Sequence, residues 1–146
     1  MYEKTIENLP VDVAIFTAAV GDFRAKQINL NKIKKDNFQK IELLKTKDIL
    51  DYTSKHNKLR PKLVIGFAAE TNNLDKNSKN KLVEKNCDWI VANDVSNKKI
   101  GFDSEYNEVK IFQRNKSNIE NISITTKEMI AKKLVEKISN ELKANG

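Results

Sequence analysis

The chain is poor in the residues on which most metal and nucleophile centres depend. Cys87 is its one cysteine and His56 its one histidine. A lone cysteine forms no internal disulfide. One His with one Cys argues against a zinc site or a Ser-His-Asp triad. Cys87 stands just before an apolar run and reads as a buried thiol, which fits a reducing cytoplasm. Arginine is scarce too: Arg24, Arg60 and Arg114 are the only three among 27 basic residues. No apolar run approaches the ~20 residues of a membrane span, and the opening MYEKTIENLP lacks a signal peptide's apolar stretch. A cytoplasmic location with no membrane partner is the expectation.

What is present is ordinary for one soluble domain: 146 residues, 39% hydrophobic and 32% charged. The net charge of +7 raises the question of nucleic acid. The cations are nearly all lysine, spread along the chain and mixed with Asp, Glu and Asn. Base readers favour the arginine fork, so no nucleic-acid partner is expected. The charge would still favour a small polyphosphate.

The apolar pattern alternates. Residues 2–8 read as the end of a helix, and VDVAIFTAA (11–19) as an apolar strand. Residues 22–37 are Lys-rich without periodicity. KIELLK (40–45) reads as a short strand and DILDYTSKH (48–56) as a helix broken at Arg60-Pro61. KLVIGF (62–67) and DWIVAND (88–94) read as buried strands around a helix over 70–86. NEVKIF (107–112) and NISITT (121–126) suggest an edge hairpin. A closing helix over 127–142 repeats Met129, Ile130, Leu134, Ile138 and Leu142 at helical spacing. Continuous apolar strands separated by helices predict a three-layer α/β/α fold with a mainly parallel, Rossmann-like sheet and an antiparallel edge hairpin.

In such folds ligands bind beyond the carboxyl ends of the strands. Three strands end in chemically pointed tails there: TAAVGD, GFAAET and ANDV. Ala18, Ala19, Ala68 and Ala69 allow either tight packing or close ligand approach. Asp22, Glu70 and Asp94 suit helix starts as well as a site. Phe67 is either core or a face on which a base can stack. On the helix that follows, Leu74, Ser78 and Leu82 form the inward stripe. At about 100° per residue, Lys81 and Lys85 both lie within about 20° of Leu74. They either snorkel at the edge of the stripe or reach an anion.

AAVGDFRAKQINLNKIKK, ELLKTKDIL, VIGFAAETNNL, KLVEKNCDWIVANDVS and GF-SEYNEVKIF occur in this order. Together they resemble the phosphopantothenate–cysteine ligase family, also called phosphopantothenoylcysteine synthetase, over roughly residues 5–140. In bacteria this is usually the C-terminal half of a bifunctional coenzyme A biosynthesis protein. The resemblance implies that 4′-phosphopantothenate attacks the α-phosphate of CTP and expels pyrophosphate. Cysteine then attacks the acyl-cytidylate and releases CMP. Mg²⁺ would screen the polyphosphate. Eukaryotic relatives tend to use ATP.

Carried over by position, the resemblance implies nucleotide contacts from Phe16, Thr17, Ala18, Asp22, Lys32, Lys47, Asp48, Ile49, Leu50, Phe67, Lys81 and Lys85. Asn93 would face the cleft. Lys32, in a flap over about 22–39, would stabilise charge at the reacting phosphate and counts as the catalytic residue. The flap would shut water out from the anhydride. Gly21 replaces the family's usual Ala, and Lys47 its usual Pro. The resemblance also implies a homodimer and a separate or fused phosphopantothenoylcysteine decarboxylase. Family members open with a strand and a glycine-rich segment. The four glycines here, Gly21, Gly66, Gly101 and Gly146, form no such loop. One N-terminally truncated domain over 1–146 is therefore the expectation. Two alternatives stand beside the ligase: a nucleotide-binding or complementing half-domain without turnover, and a basic nucleic-acid-binding α/β protein.

Overall fold

A computed structural model describes residues 1–28, 31, 40–96 and 104–144. The chain runs α1 (Tyr2–Glu7), β1 (Val13–Phe16), β2 (Phe23–Ala25), β3 (Leu43–Lys45), α2 (Ile49–Ser54) and β4 (Leu63–Glu70). It continues α3 (Leu74–Glu84), β5 (Trp89–Asp94), β6 (Tyr106–Gln113), β7 (Glu120–Thr126) and α4 (Lys127–Ala144). Five strands form one sheet in the order β1-β4-β5-β6-β7. β1 is parallel to β4 and β4 to β5, while β6 and β7 run antiparallel. This is the expected mixed α/β sheet with an edge hairpin.

Alternation along each strand builds two cores. Leu63, Ile65, Trp89, Val91, Val109, Ile111 and Ile122 face α4, which inserts Ile130, Leu134 and Ile138. Val64, Ala68, Ile90, Ala92 and Phe112 face the other way, under Leu82 of α3 and Leu50 of α2. Val64, Ile65, Ile90, Val91 and Ile111 are almost wholly buried, and each such side chain contributes about 1.5–3 kcal/mol. Met129, counted in the α4 stripe, is instead largely exposed, because it lies one position ahead of Ile130, at the rim of the stripe.

Several boundaries differ from expectation, among them β3, which covers only Leu43–Lys45 of the expected 40–45. β4 does not stop at Phe67 but pairs with β5 through Glu70, opposite Asp94. Residues 67–70 are therefore sheet, and the helix expected from 70 starts at Leu74. β1 covers only Val13–Phe16 of the expected 11–19. Within the Lys-rich stretch read as unpatterned, Phe23–Ala25 form a strand. It pairs with Leu43–Lys45 as a separate antiparallel ribbon. One face of that ribbon leaves Phe23 at 62%, Ile41 at 60% and Leu43 at 59% exposure.

The glycine that opened GFAAET has a packing reason. A Cβ on Gly66 would meet Leu50 Cδ2 at 2.6 Å and Ile90 Cδ1 at 3.0 Å. Its absence lets α2 settle directly onto the central strand.

Candidate functional site

β1 ends at Phe16, opposite Gly66, while β4 runs on to Glu70, and a cleft of about 150 Å³ opens beyond the end of β1 beside Phe67. Phe16, Ala18, Val20 and Asp22 come from the chain leaving β1. Lys47, Asp48, Ile49 and Leu50 come from the start of α2, Phe67 from β4, and Lys81 and Lys85 from α3. Met1 and Thr46 complete the lining. The Thr46 N–H donates to the Asp22 carbonyl at 2.8 Å, which ties the base of the β2–β3 ribbon to the cleft.

Asp48 is the electrostatic pivot. One carboxylate oxygen caps α2 by accepting the Asp51 N–H at 2.8 Å; the other pairs with Lys85 Nζ at 2.8 Å. Burial works to raise the Asp48 carboxyl. The Asp51 N–H and the Lys85 ammonium outweigh it, so its pKa falls below the ordinary 3.8. Lys85 is raised in turn, chiefly by its hydrogen bond to Asp48, against partial desolvation. Lys81 has a looser partner, Glu70 at 3.8 Å. Glu70 is oriented by the Asn77 amide at 3.0 Å. Ser78 and Leu82 are buried against the sheet, and Lys81 on α3 and Lys85 at its C-cap stand less buried beside them.

Ten of the twelve expected residues therefore line one cleft. Thr17 does not: it lies in the neighbouring groove between α1 and β1. Lys32, and most of the expected flap, fall outside the described residues. Asn93 is also absent from the lining, because β5 ends one strand further from β1. Phe67 borders the cleft, but its ring packs with the core facing α4, as alternation from Ile65 requires. Phe16 and Leu50 pack with the opposite core. The cleft thus straddles the sheet end, with its cations on the α2–α3 side.

Residues 1–142 match the family described as the DNA/pantothenate metabolism flavoprotein C-terminal domain. The chain belongs to that family. Its relatives include the coenzyme A biosynthesis bifunctional protein CoaBC of Borreliella burgdorferi, 39% identical over 127 residues. That match takes in 85% of this chain and 31% of the relative. The protein of the same name from Escherichia coli K12 is 35% identical over 131 residues, covering 87% of this chain and 32% of its own length. The chain thus spans about a third of these curated relatives. The solved C-terminal domain of a CoaBC protein superposes with a TM-score of 0.73 at 33% identity, covering 98% of this chain and 61% of that one. The family match takes in every element that lines the cleft.

Besides Val20 and Thr46 in the lining, two features of this family member's cleft escaped the sequence reading. Met1 joins the lining, and Lys47 Nζ sits 4.4 Å above the Tyr2 ring. Neither contact has a sequence signal, since both depend on how α1 docks beside α2. Among the described residues no group of three or more His, Cys, Asp or Glu could hold a metal ion. Nor is any described helix long and apolar enough to cross a membrane.

Proposed function

We propose that this chain supplies the nucleotide-handling part of a phosphopantothenate–cysteine ligase in coenzyme A biosynthesis, using CTP. The observation that carries the reading is the convergence of Asp48, Phe67, Lys81 and Lys85 on one cleft at the carboxyl end of β1, beside the carboxyl half of β4. The base would lie toward Phe67 and the polyphosphate toward Lys81 and Lys85, across the sheet end. At about 150 Å³ the cleft is smaller than such a ligand, which would rest across its open rim.

In the first step an oxygen of the 4′-phosphopantothenate carboxylate attacks the α-phosphorus. An acyl–phosphate bond forms and pyrophosphate leaves with the bridging electron pair. In the second, the amine of cysteine attacks the acyl carbon, an amide forms and CMP departs. Lys81 and Lys85 would neutralise the polyphosphate, and Asp48 would be released from Lys85 as the anion arrives. Lys32 keeps its assignment at the reacting phosphate by resemblance. Mg²⁺ would arrive on the triphosphate, held by phosphate oxygens and water, since the described residues offer no cage for it. The apolar face of the β2–β3 ribbon suits burial in a homodimer. A decarboxylase, fused or separate, would act next on the product. A cytoplasmic setting follows from these substrates.

The test is calorimetric titration of CTP with Mg²⁺ into the wild-type chain and Lys81→Ala, with ATP as competitor. CTP should bind, and Lys81→Ala should weaken it about tenfold. Failure of the folded wild-type chain to bind CTP would overturn the reading. Pyrophosphate release on adding 4′-phosphopantothenate separates a ligase from a half-domain that binds without turnover.

A further inference from the structure

α1 buries none of its residues, yet its first residue makes a specific contact. The Tyr2 ring meets Tyr52 of α2 edge-on, with centroids 5.1 Å apart. Tyr52 in turn meets His56 edge-on at 5.5 Å. His56 is pinned, because its Nδ1 accepts the N–H groups of Lys58 at 3.2 Å and Leu59 at 3.0 Å. The ladder holds the Tyr2 ring in place, and over its face, 4.4 Å from the centroid, stands Lys47 Nζ.

Lys47 lines the cleft beside Asp48 and Lys85. It differs from the other two cleft lysines. Lys81 pairs with Glu70 and Lys85 with Asp48, whereas Lys47 has no carboxylate partner among the described residues. An ammonium on a flexible four-carbon stem wanders unless something holds it. An aromatic face attracts the cation without neutralising it, so the charge stays available to an anion.

We propose that Tyr2 is a positioning residue that presents Lys47 as a third cation of the cleft, directed at the polyphosphate of the nucleotide. The proposal rests on the nucleotide reading above and adds to it a residue outside the cleft lining. Lys47 lies on the cationic side of the cleft, away from Phe67, so its effect should grow with the number of phosphates.

The experiment titrates CTP with Mg²⁺, and separately CMP, into the full chain and into Lys47→Met, Tyr2→Phe, Tyr2→Leu and the Lys47→Met/Tyr2→Leu double variant. Circular dichroism checks that each is folded. Lys47→Met should bind CTP about tenfold more weakly, with a much smaller change for CMP. Tyr2→Phe keeps the ring and should bind as wild type. Tyr2→Leu should lose about threefold, and that loss should vanish in the Lys47→Met background. If Tyr2→Leu costs as much without Lys47, Tyr2 only docks α1 and the proposal falls. It falls equally if Tyr2→Phe matches Tyr2→Leu, or if Lys47→Met leaves CTP binding unchanged. Should Tyr2→Leu not fold, Tyr2→Met, which fills similar space without a ring, takes its place in the same cycle. Wild type that binds no CTP overturns this proposal together with the nucleotide reading; wild type that binds while every variant matches it overturns this one alone.

Discussion

The two ends of the parallel strands use cations in opposite ways. At the amino end, Arg60 donates to the carbonyls of Ser54 at 2.8 Å, Pro61 at 3.0 Å and Asn86 at 3.1 Å. It also grips both oxygens of Asp88 at 3.0 Å, and Asp88 takes the Val64 N–H at 2.7 Å. Arg114 likewise clamps the carbonyls of Cys87 at 2.9 Å and Leu82 at 3.0 Å. At the carboxyl end, Lys81 and Lys85 each meet one carboxylate, and Lys47 meets a ring. Main-chain acceptors cannot swing away, whereas a single side-chain partner can give way to a ligand. The amino end also holds the larger cavity, about 550 Å³. Its charges are already matched: Asp12 with Lys62 at 2.8 Å, Asp88 with Arg60, and Lys116 with Glu141 at 3.6 Å. Volume alone would point to the amino end.

The contrast can be broken first at Arg60. Arg60→Met strands several part-buried acceptors and the Asp88 charge, so urea unfolding should show a loss of about 3 kcal/mol. A loss under about 1 kcal/mol would class it with surface pairs and dissolve the distinction. Gly66→Ala comes next. Its methyl must push Leu50 off the strand, at about 1–3 kcal/mol by the same measurement. If α2 moves with Leu50, CTP binding should weaken too.

A finer test uses Asp48→Asn, which keeps the helix cap but removes the charge facing Lys85. The native Asp48 pKa is depressed, so its stabilisation is complete above the ordinary 3.8 and is lost as pH falls through the lower folded value. Lys85 is raised, so its share is complete below 10.5 and is lost as pH climbs through the higher folded value. Denaturation midpoints against pH should therefore fall off less on both limbs in Asp48→Asn. Unchanged limbs would mean that the pair adds nothing. The smallest effect concerns Cys87, wholly buried at the amino end, where burial pushes the thiol up to about 11. A thiol reagent at pH 8 should label it only after unfolding; fast native labelling would contradict its packing.

Much of this was readable in the residues. The Val- and Ile-rich runs at 63–67 and 89–92 placed the central strands, and Leu74, Ser78 and Leu82 oriented α3, because burial imposes a period that composition reveals. β2 stayed hidden because a three-residue strand among lysines leaves no period to detect. The end of β4 was misjudged because Ala68 and Ala69 carry little strand preference; their partners Ala92 and Asn93 decide it. The need for glycine at 66 comes from Leu50, sixteen positions earlier, and the Tyr2–Lys47 contact spans most of the same crossover. Such pairings exist only once the chain is folded. Of the ten expected cleft residues, Ala18, Asp22, Phe67, Lys81 and Lys85 stood out in the strand tails and the helical spacing, the resemblance added Phe16, Lys47, Asp48, Ile49 and Leu50, and their convergence depends on β1 lying parallel to β4.

That strand order has a consequence for hydrogen exchange. β4 and β5 are paired on both sides and covered on both faces, so their amides should be the last to take up deuterium. α1 buries nothing, and the β2–β3 ribbon pairs only with itself, so both should exchange early. The cleft reaches across this whole range, from β4 to the loops beside the ribbon and α1. A bound ligand can add little protection to β4, where it is already near its ceiling. Its footprint should appear almost entirely as slowed exchange in α1, at residues 20–22 and 46–50, and in the ribbon.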